Sequence, residues 1–196
     1  QVTRPDVTGE ISFNNVPTAK NFGLEVEART LIGSLIDLDT TAFLSNVSIY
    51  GNIAVIRSKV DVSQVVGSQY DSRPLQGQSP YLINTGLLYD VVEKGFNTTL
   101  LFNRIGKRIF LVGDIQAGAG SPDVYENPRS LIDFQISKKF ADNKAEIRLS
   151  ISDILNQRQI FYQNNNANTD YNTSTDAIRL SRKFGTTFGI TLNYSL

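Results

Sequence analysis

Apolar and polar residues alternate with a period of two along nearly the whole chain, a pattern that fits extended strands with one greasy and one wet face. The clearest stretch is Tyr81–Asp90. Tyr81, Ile83, Thr85, Leu87 and Tyr89 point one way, and Leu82, Asn84, Gly86, Leu88 and Asp90 the other. The same alternation runs through Val7–Asn14, Phe22–Arg29, Phe96–Asn103, Ile132–Ser137, Ala145–Ser152 and Thr187–Leu196. It predicts about eight strands, over residues 3–15, 20–31, 46–61, 79–91, 95–112, 129–140, 144–158 and 176–196. Several exceed the ~5–6 residues common in soluble sheets. A strand that crosses a bilayer at a tilt needs ~9–11. Tyr81 and Tyr89, spaced like two aromatic girdles on one face, fit an apolar band ~25 Å tall, although a soluble sandwich strand could carry the same pair.

The connections sort by length. Val92–Gly95 and Ala141–Lys144 are tight turns, with Gly, Asn and Asp supplying the backbone conformations. The links at 62–78, 113–128 and 159–175 are long and rich in Gly, Ser, Asn, Gln, Asp and Pro. Short turns at one end and long loops at the other are the asymmetry of an outer-membrane barrel. Two links depart from it. The hairpin near Asn15–Lys20 is short on the long-loop side. The link at 32–45 is long on the short-turn side and is read as carrying a short helix capped near Asp39. Tyr162–Asp176 reads as a mobile exterior loop.

Composition narrows the chemistry. Charged residues make up only 19%, Asn, Thr, Ser and Gln fill the difference, and net charge is zero, which gives no footing for a nucleic-acid partner. There is no Cys and no His, so disulfides, thiol catalysis and the commonest general base and metal ligand are absent. No stretch approaches the ~18 consecutive apolar residues of a membrane helix, which leaves strands as the means of crossing. No catalytic, cofactor or metal site is expected, and an enzyme is the least favoured reading.

Local motifs resemble a known family. Thr187–Leu196 resembles the C-terminal assembly signal of outer-membrane barrels, with Gly189, Leu192, Tyr194 and Leu196 at the signal positions. The final residue is Leu196, where many members carry Phe or Trp. Asn21–Ala28 resembles the "G-x-E-x-E" strand of TonB-dependent receptors of the kind found in Bacteroidota-like bacteria. Arg73–Asn84 resembles their "R-x-x-x-G-x-x-P-Y-x-x-N" segment. Asn103, Gly106, Arg108 and Ile109 match "N-x-x-G-x-R-I", and Asp153–Asn156 matches "D-x-L-N". The motifs stand in the family's order.

The resemblance implies an all-β, antiparallel up-and-down transmembrane barrel. Residues 1–196 would form the C-terminal part of a 22-stranded wall, with the plug and earlier strands upstream of Gln1. It implies active import of a small molecule or oligosaccharide, such as an iron chelate or cobalamin. The implied partners are outer-membrane lipid, a TonB-type energy-coupling protein acting through the plug, and the barrel-assembly machinery. By face parity, Glu25, Glu27, Asn84, Asn97, Asn103, Asp133, Glu146 and Arg148 are candidates to face the lumen, or they only hydrogen-bond to each other or to water. Arg57, Lys59, Arg104, Lys107, Arg108, Arg179, Arg182 and Lys183 fall toward the long-loop ends, where they could meet lipid phosphates or an anionic ligand, or form a solvated rim. A complete small eight-stranded outer-membrane barrel and a soluble ligand-binding barrel are the competing architectures.

Overall fold

The computed structural model describes residues 15–36, 43–64, 71–113, 122–165 and 170–195, together with the short pairs Val2–Thr3 and Ser12–Phe13. The strands are β1 (Val2–Thr3), β2 (Ser12–Phe13), β3 (Ala19–Leu31), β4 (Val47–Asp61), β5 (Ser72–Arg73), β6 (Tyr81–Val91) and β7 (Phe96–Ile105). They continue with β8 (Arg108–Leu111), β9 (Val124–Glu126), β10 (Arg129–Phe140), β11 (Ala145–Ser152), β12 (Gln159–Gln163), β13 (Ala177–Arg182) and β14 (Thr187–Tyr194). Among the described residues no helix is long and apolar enough to cross a membrane.

The long strands form one antiparallel sheet in the order β14-β11-β10-β7-β6-β4-β3, with the short β5 added to the outer end of β4. A second sheet has the order β13-β12-β9-β8. The two orders match because each strand of the second sheet continues a strand of the first, across breaks at residues 106–107, 127–128, 153–158 and 183–186. The molecule is therefore a single wall, interrupted once in each of four adjacent strands. The expected strands 95–112 and 176–196 are each split in this way, and the expected strand 144–158 ends at Ser152, its continuation β12 falling in the stretch read as the 159–175 loop. Gly185 at φ 89°, and Asp153 at φ 52° and Asn156 at φ 47°, take left-handed backbone that leaves the pleat.

The segment Ser72–Gln78 sews the second sheet to the first. Val60 pairs with Arg73 on one side. On the other, the Gly77 N–H donates to Ile109 O at 2.8 Å and Gln76 Nε2 to Phe110 O at 2.8 Å. What reads in the sequence as loop is thus partly spent as an extra strand.

Three expectations need adjustment. Val2–Thr3 pairs with Ser12–Phe13 as a small separate hairpin, and among the described residues β3 has only β4 as a neighbour, so the described part of 3–15 is no wall strand beside β3. The rest of that stretch lies outside the described residues. The 32–45 link carries a helical turn at Ile32–Leu35, beginning straight from β3 at Leu31 with no side-chain cap, and a 3-10 turn at Phe43–Asn46. Asp39 lies outside the described residues. The loop read as mobile is instead docked where it is described, at 162–165 and 170–176. Asp176 accepts the backbone N–H groups of Asn165 (3.0 Å) and Asn172 (2.8 Å), and Tyr171 packs on Tyr162.

The tight turn between β10 and β11 stacks three left-handed residues, Ala141 (φ 51°), Asp142 (φ 53°) and Asn143 (φ 68°). Asn tolerates this conformation; Ala has no side chain that compensates the clash of its Cβ, which costs about 1–2 kcal/mol. Ala141→Gly should stabilise the hairpin by roughly 0.5–1 kcal/mol after the added unfolded-state entropy is subtracted. Urea unfolding in detergent micelles reads this as a higher midpoint, and a lower midpoint would contradict it.

Candidate functional site: the two faces of the wall and the sheet beyond it

Register settles which residues share a face, because directly paired residues point to the same side of a sheet. One row across six strands reads Ile49, Leu87, Leu100, Phe134, Ile151 and Phe188. The rows around it add Val26, Ile53 and Ile83, then Ile136, Leu149 and Ile190, then Ile147 and Leu192. This face is mostly apolar, with Thr98, Arg104 and Ser130 among its members, and uncovered: Leu192 is 72% exposed and Ile53 50%. The buried hydrophobic cluster lies elsewhere, in the second sheet. A soluble protein rarely leaves so large a contiguous apolar surface open.

The opposite face is polar, and all eight residues predicted to share a face do so. Glu27, Asn52, Asn84 and Asn103 form one row; Arg29, Tyr50, Gly86, Leu101 and Asp133 form another; Asn97, Ser137, Arg148 and Thr191 a third. Glu25 and Glu146 have the same parity. Many are bonded across or along the strands. Asn52 Nδ2 donates to Glu25 Oε1 at 2.6 Å, and Asn103 Nδ2 donates to Asn84 Oδ1. Thr99 Oγ1 donates to Asn97 Oδ1 at 3.3 Å, and Arg148 pairs with Glu146 at 2.8 Å. Asp133 Oδ1 accepts the Asp153 N–H at 2.8 Å, which anchors the left-handed break in the neighbouring strand. Asn97, Glu146 and Arg148, with Asp90, Lys139 and Gln135, border a hollow of about 500 Å³ toward the short-turn end.

The terminal strand follows its predicted pattern. Ile190, Leu192 and Tyr194 lie on the apolar face, with Tyr194 opposite Ala145. Gly189 lies on the polar face, where a Cβ would come within 2.6 Å of Ser150 Oγ. Leu196 lies outside the described residues.

The second sheet carries a polar ladder over all four strands. Arg108 on β8 binds Glu126 on β9 at 2.7 Å, Gln159 on β12 donates to the other Glu126 oxygen, and Arg182 on β13 donates to Gln159 Oε1 at 2.6 Å. Glu126 is 4% exposed, so its charge is matched inside the sheet. On the other side of the sheet, Ile109, Val112, Tyr125 and Tyr162 form the buried cluster, roofed by Tyr171. Burial pushes the Tyr162 hydroxyl well above the usual tyrosine range. Lys107 binds Asp170 at 2.7 Å, and this holds the Asp170 carboxyl below the ordinary carboxylate range. Sequence reading singled out Lys107 and Arg182 as rim cations, and Arg108 as a rim cation and a motif residue, without a partner for any of them. Their partners lie 18 to 63 residues away, so periodicity could not pair them.

A family model described as "Outer membrane protein beta-barrel family" matches residues 6–194. The chain belongs to this outer-membrane β-barrel family. No curated protein and no solved structure matches it. As an outer-membrane barrel protein of bacteria, it presents its apolar face to lipid, the one environment in which that uncovered face needs no partner. The soluble-barrel reading is thereby set aside.

Proposed function

We propose that this outer-membrane barrel protein is the C-terminal wall segment of a TonB-dependent receptor, which imports a bound small molecule or oligosaccharide and makes or breaks no bond in it. The observation that carries this reading is the way two family-like motifs interlock. Asn84, the last residue of the Arg73–Asn84 motif, receives a hydrogen bond from Asn103, the first residue of the next motif. The Gly77 N–H bonds Ile109 O at the far end of that motif. Between them, Gly106 packs so closely on Tyr81 and Ser79 that a Cβ would sit 2.8 Å from the tyrosine ring and 2.9 Å from Ser79 Oγ. Asn84, Asn103 and Gly106 thus each have a physical reason to be what they are, and the reasons tie one motif to the other.

The edges of the wall support a larger barrel. Among the described residues, β3 and β14 pair on one side only and not with each other. Raw strand edges do not rest in hydrocarbon, and this reading supplies further strands to complete the ring. In that reading the polar face, with Glu25, Glu27 and Arg148, lines the passage and meets the plug. A TonB-type protein supplies the energy through the plug, and the assembly machinery reads the terminal strand.

The test is substrate uptake by cells carrying the native full-length product, with and without the TonB-type partner. Uptake that is lost on deleting either the receptor or the partner supports the proposal. A native product near 21.7 kDa that closes on its own as a heat-resistant barrel would sink it in favour of a small structural or adhesive barrel.

A further inference from the structure

Two connections between the second sheet and the first stand out. One is the backbone itself, at the breaks at 106–107, 127–128, 153–158 and 183–186, which lie side by side across adjacent strands. Asp153, Asn156 and Gly185 put left-handed residues in two of these breaks. A row of ladder gaps is where a wall can bend, because only the few residues at the gaps must change φ and ψ. The other connection is the Ser72–Gln78 strap, which reaches from β4 to β8. Its hold on the first sheet is the pairing of Arg73 with Val60 and Ser72 with Asp61, with the Leu75 N–H donating to Ser58 Oγ at 3.0 Å. Its hold on the second is the Gly77 N–H on Ile109 O and Gln76 Nε2 on Phe110 O.

One residue is out of keeping with a permanent seam. Arg73 is 8% exposed, and so is Asp123, which precedes β9. The two charges lie near enough to act on each other, and Tyr125 faces the same guanidinium. Even so, among the described residues they form neither a hydrogen bond nor a close ion pair. Arg73 Nη1 and Asp123 Oδ2 are both buried without a partner. Asp123 is itself held in place: its Oδ1 accepts the Gly113 N–H at 2.8 Å, and its carbonyl accepts the Asn164 N–H at 3.2 Å. Burial lowers the Arg73 guanidinium from its ordinary range and raises the Asp123 carboxyl, so the loss of water outweighs their attraction. A buried ion pair that lacks good geometry and full hydrogen bonding costs free energy that hydration would return. The docked strap therefore carries a penalty that undocking removes.

We propose that the Ser72–Gln78 strap is a releasable latch on a second sheet hinged at the four breaks, and that the buried Arg73–Asp123 pair keeps the latch releasable. Docked, the strap exchanges the hydration of two charges for its backbone and side-chain bonds. Released, Arg73 withdraws with the strap, both charges regain water, and the second sheet can turn on the breaks. An apolar residue at position 73, facing a neutral one at position 123, would give a tighter seam. The device belongs to the wall and does not depend on what passes through it.

The test is hydrogen exchange, read by mass spectrometry, on the full-length protein in lipid nanodiscs. In the parent, peptides covering 72–78 and 109–113 should exchange together, and faster than the wall peptide 132–137. The double variant R73M/D123N removes both charges and keeps an oxygen for the Gly113 N–H. It should slow exchange of both peptides on the order of tenfold. Each single variant strands one charge in the interior and should speed exchange by a similar factor. Gln76→Ala drops the bond to Phe110 O without touching the charges, and should speed both peptides together while 132–137 stays protected. Exchange in the double variant at the parent rate or faster would overturn the proposal, because the pair would then be clamping the strap. Unchanged exchange in Gln76→Ala, or acceleration of 72–78 alone, would also overturn it, since strap and second sheet would not open as one. A parent strap as protected as the wall peptide would leave no latch to release.

Discussion

Phe134→Arg should destabilise the wall by about 2–4 kcal/mol, while Gln135→Arg, one residue along the same strand, should cost roughly 1 kcal/mol or less. Phe134 stands in the central row of the apolar face, between Leu100 and Ile151. A guanidinium there must reach water across hydrocarbon or drag water in. Gln135 is paired with Thr99 and Ser150 on the polar face, where a charge keeps its hydration. Unfolding of the full-length protein in lipid vesicles by guanidinium measures both. Equal effects, or a larger effect at Gln135, would mean that the lipid and water sides of the wall have been exchanged.

The second large effect is expected in the outer sheet. Tyr162 is 0% exposed, its ring 6.0 Å from that of Tyr125 and 4.9 Å from that of Tyr171. Tyr162→Ala should cost about 3–4 kcal/mol, through lost burial and the cavity left behind. Tyr162→Phe keeps the ring and should cost only about 1 kcal/mol. Because this sheet stands apart from the lipid-facing rows, the loss should appear as protease sensitivity in the 162–176 region while the lipid-facing strands stay protected. Protection unchanged in Tyr162→Ala would show that the cluster does not hold the loop down.

The contrast between these two regions explains what could be read from the residues. A wall strand declares itself locally, because its two faces alternate over eight or more residues whatever its neighbours do. Tyr81–Asp90 became β6, and the alternating sets of β10, β11 and β14 fell on two separate faces, as parity expects. The outer sheet has no such signature. Its strands run from three residues at Val124–Glu126 to six at Ala177–Arg182, too short for a period to register. Its cohesion comes from residues brought together only by the fold, such as Lys107 with Asp170 and Arg108 with Glu126. The polar loop at 162–176 looked solvated because its anchors are few. Tyr171 and the turn-forming pair Asn172 and Asp176 were the only local hints. Asp133 shows the same limit from the other side: parity placed it on the polar face, but its partner, a backbone N–H in the next strand's break, was visible only in three dimensions.

The breaks at 106–107, 127–128, 153–158 and 183–186 divide labour along four adjacent staves of the wall. Below them, spacing and tilt answer to the bilayer and to closure of the ring, so substitutions there are constrained by their neighbours all the way round. Above them, the rim is held by its own ladder, its own aromatic cluster and the Ser72–Gln78 strap. Such a collar can be exchanged between relatives, or redesigned for a new ligand, as a four-strand cassette grafted at those joints, with the submerged register left untouched.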